Sequence, residues 1–131
     1  MRPLVVFLLG VAVVFGAIAA AIVLTRPTER VFVVVDTSFP MREVWSQVPR
    51  ALDQIEDEGY SEVALATEKS LVHSWQPSFR LRSGTPYAPC DFAEIETYPE
   101  ALEADRRVLI TTPASCPTDA LGGWEVRTLT P

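Results

Sequence analysis

Histidine, cysteine and positive charge are all scarce in this chain of 131 residues. His73 is the only histidine and Cys90 and Cys116 are the only cysteines. No Cys/His zinc spacing and no C-x-x-C redox motif can be built from them. A nucleophile elbow and a phosphate-binding G-x-x-x-x-G-K loop are also missing. His73 sits in a strand-like segment with no second ligand nearby and reads as a surface or edge residue. Eleven Lys and Arg stand against 17 Asp and Glu, for a net charge of −6. Such a chain offers no electrostatic footprint for phosphate, so nucleic acid is not an expected partner. The length excludes a large multidomain enzyme.

Charge is missing altogether from residues 4–24, a run that is otherwise apolar. Twenty-one helical residues span about 31 Å, the hydrocarbon thickness of a bilayer. The run predicts a transmembrane helix in the lipid bilayer. A cleaved signal peptide is the competing reading, with Ala17-Ile18-Ala19 and Ala19-Ala20-Ala21 as A-x-A sites. Signal h-regions are about 7–15 residues, shorter than this run, which favours an uncleaved anchor. Ala12, Gly16 and Ala20 share one helix face, a small-residue spacing that admits a second helix closely. No ionisable group lies inside the span, which argues against ion or proton conduction.

Arg2 precedes the span and Arg26 and Arg30 follow it, so charge gives little orientation bias. An even pair of cysteines beyond the span is compatible with a disulfide in an oxidising compartment. Two unrelated core thiols are the alternative. The pair favours a cytoplasmic N-terminus and an extracytoplasmic domain.

The expected organisation is a tail over 1–3, the anchor over 4–24, a polar linker over 25–30 and one small domain over 31–131. Val31-Phe32-Val33-Val34-Val35 is continuously apolar, as in a strand buried on both faces. Val44, Val48, Leu52 and Ile55 share a helix face. Pro49 either kinks that helix or lies in its first turn. Glu62–Thr67 and Ser70–Trp75 read as a hairpin around a two-residue Glu68-Lys69 turn. Thr97 reads as the N-cap of a second helix reaching Arg106, with Glu100 as its capping-box partner. Arg107–Thr112 reads as a buried strand and Trp124–Leu129 as an edge strand. The order predicts a small three-layer α/β domain with a mostly parallel sheet and one antiparallel edge. The acidic residues Asp91, Glu94, Glu96, Glu100, Glu103 and Asp105 read as a solvated face, or one that meets a basic partner. Phe79-Arg80-Leu81-Arg82 reads as an exposed basic loop. Trp75 and Trp124 read as packing residues.

Asp36-Thr37-Ser38-Phe39-Pro40-Met41 resembles the D-x-S-x-S-M signature of von Willebrand factor type A (vWA) domains. A Trp45-containing amphipathic helix follows, then the hairpin. Ser83-Gly84-Thr85-Pro86 resembles the family's G-G-T-P loop, and Val108–Pro113 stands where the family has a strand ending in T-D-G. The resemblance covers roughly Arg30 to Leu129. It implies a divalent cation, Mg²⁺ or similar, held at the sheet's C-terminal end by Asp36, Ser38 and Thr85. Pro40 and Thr112 depart from the pattern and remove a hydroxyl and a carboxylate. That leaves one carboxylate and two hydroxyls, a weak cage, unless Ser115 or Asp119 compensates. A purely local reading also stands, in which Asp36 and Ser38 cap a strand-to-helix turn.

The function expected is a non-catalytic, single-pass interaction module, accessory to a larger membrane or extracytoplasmic protein complex. No small-molecule substrate and no bound cofactor are expected. The alternative is a vWA domain that still binds its ligands through a cation.

Overall fold

The computed structural model describes residues 2–25, 29–81 and 84–131, without the side chains of 23–25. Residues 26–28 of the expected 25–30 linker, together with Arg82 and Ser83 of the two predicted loops, lie outside the described residues.

Helix α1 runs Arg2–Thr25. Large apolar side chains on it face outward: Leu4, Phe7, Phe15 and Ile18 are 51–69% exposed. The segment Arg2–Ile22 is long and apolar enough to cross a membrane, a test that signal sequences near an N-terminus also pass. Ala12, Gly16 and Ala20 are exposed on it.

Five strands build one sheet: β1 Arg30–Val35, β2 Glu62–Thr67, β3 Leu71–Gln76, β4 Arg106–Thr111 and β5 Glu125–Thr128. Their spatial order is β3-β2-β1-β4-β5, and only the β2–β3 pair is antiparallel. The expected α/β architecture with one antiparallel edge is therefore present. β1 is central, which explains its unbroken apolar run: Val31 through Val35 are all fully buried. Val31, Val33 and Val35 face one layer with Val63, Leu65, Val108 and Ile110. Helix α2, Val48–Asp57, covers that layer with Val48, Ala51, Leu52 and Ile55. Phe32, Val34, Ala64, Ala66 and Leu109 face the opposite layer, closed by Phe92, Ile95, Ala101 and Trp124. Phe32 packs edge-on against Tyr98 and Trp124, with ring centroids 5.7 and 6.0 Å away. Burying one such side chain contributes about 1.5–3 kcal/mol.

Pro49 lies in the first turn of α2, where its missing N–H needs no partner. Two short 3-10 turns, Phe39–Glu43 and Trp45–Gln47, precede it. Gly59 follows the helix at φ +81°, the left-handed stop that glycine adopts freely.

Three local expectations are corrected and one, the hairpin turn, is met. The predicted capping box does not form. Helix α3, Pro99–Glu103, has Tyr98 as its N-cap and ends before Arg106. The Thr97 hydroxyl instead donates to the Glu94 carbonyl at 2.6 Å. The carboxylate of Glu100 turns inward and accepts the Ser74 hydroxyl at 3.0 Å.

The hairpin turns on Glu68 and Lys69, as expected, with Thr67 opposite Ser70. Thr67 N–H bonds the Ser70 carbonyl at 2.8 Å. The Thr67 hydroxyl oxygen accepts the backbone N–H of both Lys69 and Ser70 within that turn.

The acidic stretch is exposed at Asp91, Glu94, Glu96, Glu103 and Asp105, as expected, and departs from that face at Glu100. Glu100 is buried, Glu96 accepts Trp124 Nε1 at 3.1 Å and Glu103 accepts Trp75 Nε1 at 2.7 Å.

Finally, Phe79 is half-buried against the α2 layer rather than fully exposed in its loop.

Candidate functional site

In an open parallel sheet, ligands dock where neighbouring crossovers leave in opposite directions. Here that point lies between the C-terminal ends of β1 and β4. β1 continues through α2 to β2 on one side, and β4 continues to β5 on the other. Asp36 sits at the switch point, its N–H bonded to the Ile110 carbonyl at 2.9 Å.

Asp36 and Ser38 are fully buried. Asp36 Oδ1 accepts the Ser38 N–H at 2.8 Å, a local Asx turn. Its Oδ2 accepts the Thr111 hydroxyl at 2.8 Å and also the Ser115 hydroxyl. Ser38 Oγ lies 3.0 Å from Ser115 Oγ. A hydroxyl has one proton, and that of Ser115 goes to the carboxylate, so Ser38 donates in the hydroxyl pair. The result is a closed set of charge-assisted bonds joining the end of β1, the end of β4 and the turn after β4.

Cys90 and Cys116 are disulfide-bonded, with Cα atoms 5.8 Å apart. The bond fastens the 112–121 segment, which carries Ser115, to the segment leading out of the 84–88 loop. That loop is itself attached to the end of β1: Ser38 bridges Ala88, and Phe39 N–H bonds the Ala88 carbonyl at 3.0 Å. A disulfide is characteristic of oxidising, extracytoplasmic environments.

Thr85 does not join Asp36 and Ser38. It is exposed, without a hydrogen-bond partner among the described residues. It lines a cavity of about 320 Å³ with Thr37, Trp45, Lys69 and Tyr87, which neither Asp36 nor Ser38 lines. Pro40 is the second residue of the first 3-10 turn, and Thr112 is buried with its carbonyl accepting the Ser115 N–H at 3.0 Å. Asp119 is exposed, and among the described residues no hydrogen bond joins it to the cluster. Among the described residues, no three His, Cys, Asp or Glu side chains are grouped so as to hold a metal ion.

A second buried carboxylate belongs to the same end of the sheet. Glu68, just past β2, accepts Thr37 N–H at 2.8 Å and the Thr37 hydroxyl at 2.7 Å. Tyr98 donates to the Thr67 carbonyl at 2.9 Å. Burial, and then the charges of Glu68, Glu94 and Glu100, hold its phenol pKa above the ordinary value.

Sequence reasoning brought forward Asp36 and Ser38 and raised Ser115 without a register to place it. It missed Glu68 and Thr111. One signal was available: Asp36, Glu68 and Thr111 are polar residues at the same ends of three parallel strands. His73 lies on the edge strand β3, where Nε2 accepts the Arg80 N–H at 3.2 Å. No protein-family model matches the chain, and neither a curated protein nor a solved structure does.

Proposed function

We propose that this chain is a membrane-anchored, non-catalytic interaction module built on a vWA-like domain, and an accessory subunit of a larger membrane or extracytoplasmic complex. The observation that carries this reading is the closure of the Asp36 cluster. Every oxygen of that carboxylate is already bonded within the chain, and Ser38 is engaged by Ser115. A carboxylate so occupied works as a latch between strands rather than as an open ligand site.

The covalent order supports a presenting role. Only residues 26–29 separate α1 from β1. Their five peptide steps reach at most about 18 Å. β1 then carries the chain about 20 Å further to Asp36. The C-terminal end of the sheet is thus the end remote from the anchor, and the surface offered to a partner. Ala12, Gly16 and Ala20 form the face by which α1 would approach a partner's helix. An uncleaved anchor with the disulfide-bonded domain outside the cytoplasm completes the reading.

The test is purification of the full chain in mild detergent. A stoichiometric membrane partner is the expected result, and a lone monomer contradicts it. A cation-dependent adhesion domain is the second reading, favoured by the neighbouring Asp36 and Ser38. In that case millimolar Mg²⁺ or Mn²⁺ raises the melting temperature, because a ligand of the native state alone stabilises it. A metal-induced rise that vanishes in Asp36→Asn would replace the first reading with the second.

A further inference from the structure

The Cys90–Cys116 disulfide borders a cavity of about 390 Å³, walled by Phe92, Glu96, Pro117 and Leu121 as well as by both cysteines. Each cysteine is only half-buried. The two sulfurs have different surroundings. Cys90 Sγ accepts the Cys116 backbone N–H at 2.9 Å and lies 3.1 Å from Ser115 Oγ. Among the described residues, no hydrogen bond reaches Cys116 Sγ.

We propose that this disulfide is a thiol-exchange site, attacked at Cys116 Sγ by the thiolate of a thiol reductant, with Cys90 as the leaving group. The direction of exchange is set by which sulfur better holds the departing negative charge. The new bond joins the reductant's sulfur to Cys116 Sγ. The Cys90–Cys116 bond breaks, and its electron pair leaves on Cys90 Sγ. A second reductant thiolate then attacks the reductant's sulfur in the mixed disulfide and releases Cys116. The chain gains two electrons and two protons, and the two reductant thiols end as their disulfide.

Two donors meet the charge that develops on Cys90, the Cys116 N–H and the Ser115 hydroxyl. In the oxidised chain the sulfur is neutral, and the Ser115 proton goes to the Asp36 carboxylate. A Cys90 thiolate is a competing anion 3.1 Å away. Ser115 holds a single proton, so the Cys90 thiolate and the Asp36 carboxylate compete for it, and any share taken by the thiolate weakens the latch between β1 and the turn after β4. The disulfide and the Asp36 cluster thereby report on one another, independently of which partner the domain serves.

The experiment uses the full oxidised chain in mild detergent with reduced glutathione as the probe. Acid quenching early in the reaction and peptide mass spectrometry locate the first adduct. The expected result is glutathione on Cys116 and a free thiol on Cys90, in about tenfold excess over the reverse. In Ser115→Ala the excess shrinks several-fold, and in Ser115→Thr, which keeps the hydroxyl, it is retained. An adduct mainly on Cys90, an even split, or no adduct from folded chain overturns the proposal. An unchanged excess in folded Ser115→Ala removes Ser115 from it. If that variant does not fold, the partition in the unaltered chain decides.

Discussion

The Asp36 carboxylate accepts the Thr111 hydroxyl at 2.8 Å across the seam between β1 and β4, joining residues 75 positions apart. The same oxygen accepts Ser115, and the other accepts the Ser38 N–H. One buried charge thus joins two stretches far apart in the sequence, 36–38 and 111–115.

Asp36→Ala leaves two hydroxyls and one N–H without their acceptor inside the protein. A loss of about 3 kcal/mol or more is expected, since hydrogen bonds to a charged group are worth about 1.5–3 kcal/mol each. Asp36→Asn keeps the shape and one carbonyl acceptor, and is expected to cost less than Ala. Urea unfolding of the domain measures both. Equal stability of Asp36→Ala and the unaltered chain would refute the latch.

The disulfide spans 26 positions. Closing a loop of that size removes denatured-state entropy worth about 3 kcal/mol. The double variant Cys90→Ser, Cys116→Ser is expected to unfold at lower urea by that amount, with the slope of the transition changed because the denatured state expands. A midpoint within error of the oxidised chain would show that the bond carries no stability.

Glu58, Arg106, Glu125 and Arg127 form a four-membered ion-pair network between the end of α2 and strands β4 and β5. Arg106 reaches Glu58 at 2.6 Å and Glu125 at 2.8 Å, and Arg127 also pairs with both. The hydrogen bond from Arg127 holds the Glu58 carboxyl below its ordinary range, outweighing burial, with Arg106 adding to it. For Glu125, burial pushes the pKa up, but bonds from Arg106 and Arg127 more than offset it. A lowered folded-state pKa contributes stability that is complete above the ordinary glutamate range and is lost as pH falls through the lowered value. The groups are partly exposed, so screening keeps the effect modest. Stability is expected to fall with acid more steeply in the unaltered chain than in Glu58→Gln. Parallel urea titrations across the acid range would show it, and identical pH profiles would exclude the network as a contributor.

Gly59 has φ +81°, and a Cβ added there meets nothing within 4 Å. Only backbone strain opposes Gly59→Ala, and a cost of about 1 kcal/mol is expected. Gly123 has the same sign of φ, but its added Cβ would lie 2.8 Å from Arg107 Nη2. Arg107 is also stacked over Trp124, with its guanidinium 5.8 Å from the ring. Gly123→Ala should therefore cost more than Gly59→Ala, and should change Trp124 fluorescence while Gly59→Ala does not. The reverse order of melting temperatures would contradict this.

Local chemistry alone determined much of the fold. The bounds of β2 at Glu62–Thr67, the unbroken burial of Val31–Val35 and the inward face of α2 follow from where apolar residues recur. That pattern is written along the chain. The same holds for the apolar length of α1 and for the glycine stop at Gly59. The tertiary structure decided what local pattern cannot encode. It placed Ser115 against Asp36 across 79 positions, gave Glu68 to Thr37, and set Thr85 in a cavity that Ser38 does not line. It also turned Glu100 inward, where the sequence reads an acidic, solvated run. Side-chain oxygens have no periodicity to announce their partners. Those partners are chosen only when strand order and register bring distant chain ends to one crevice, where a buried carboxylate must be bonded.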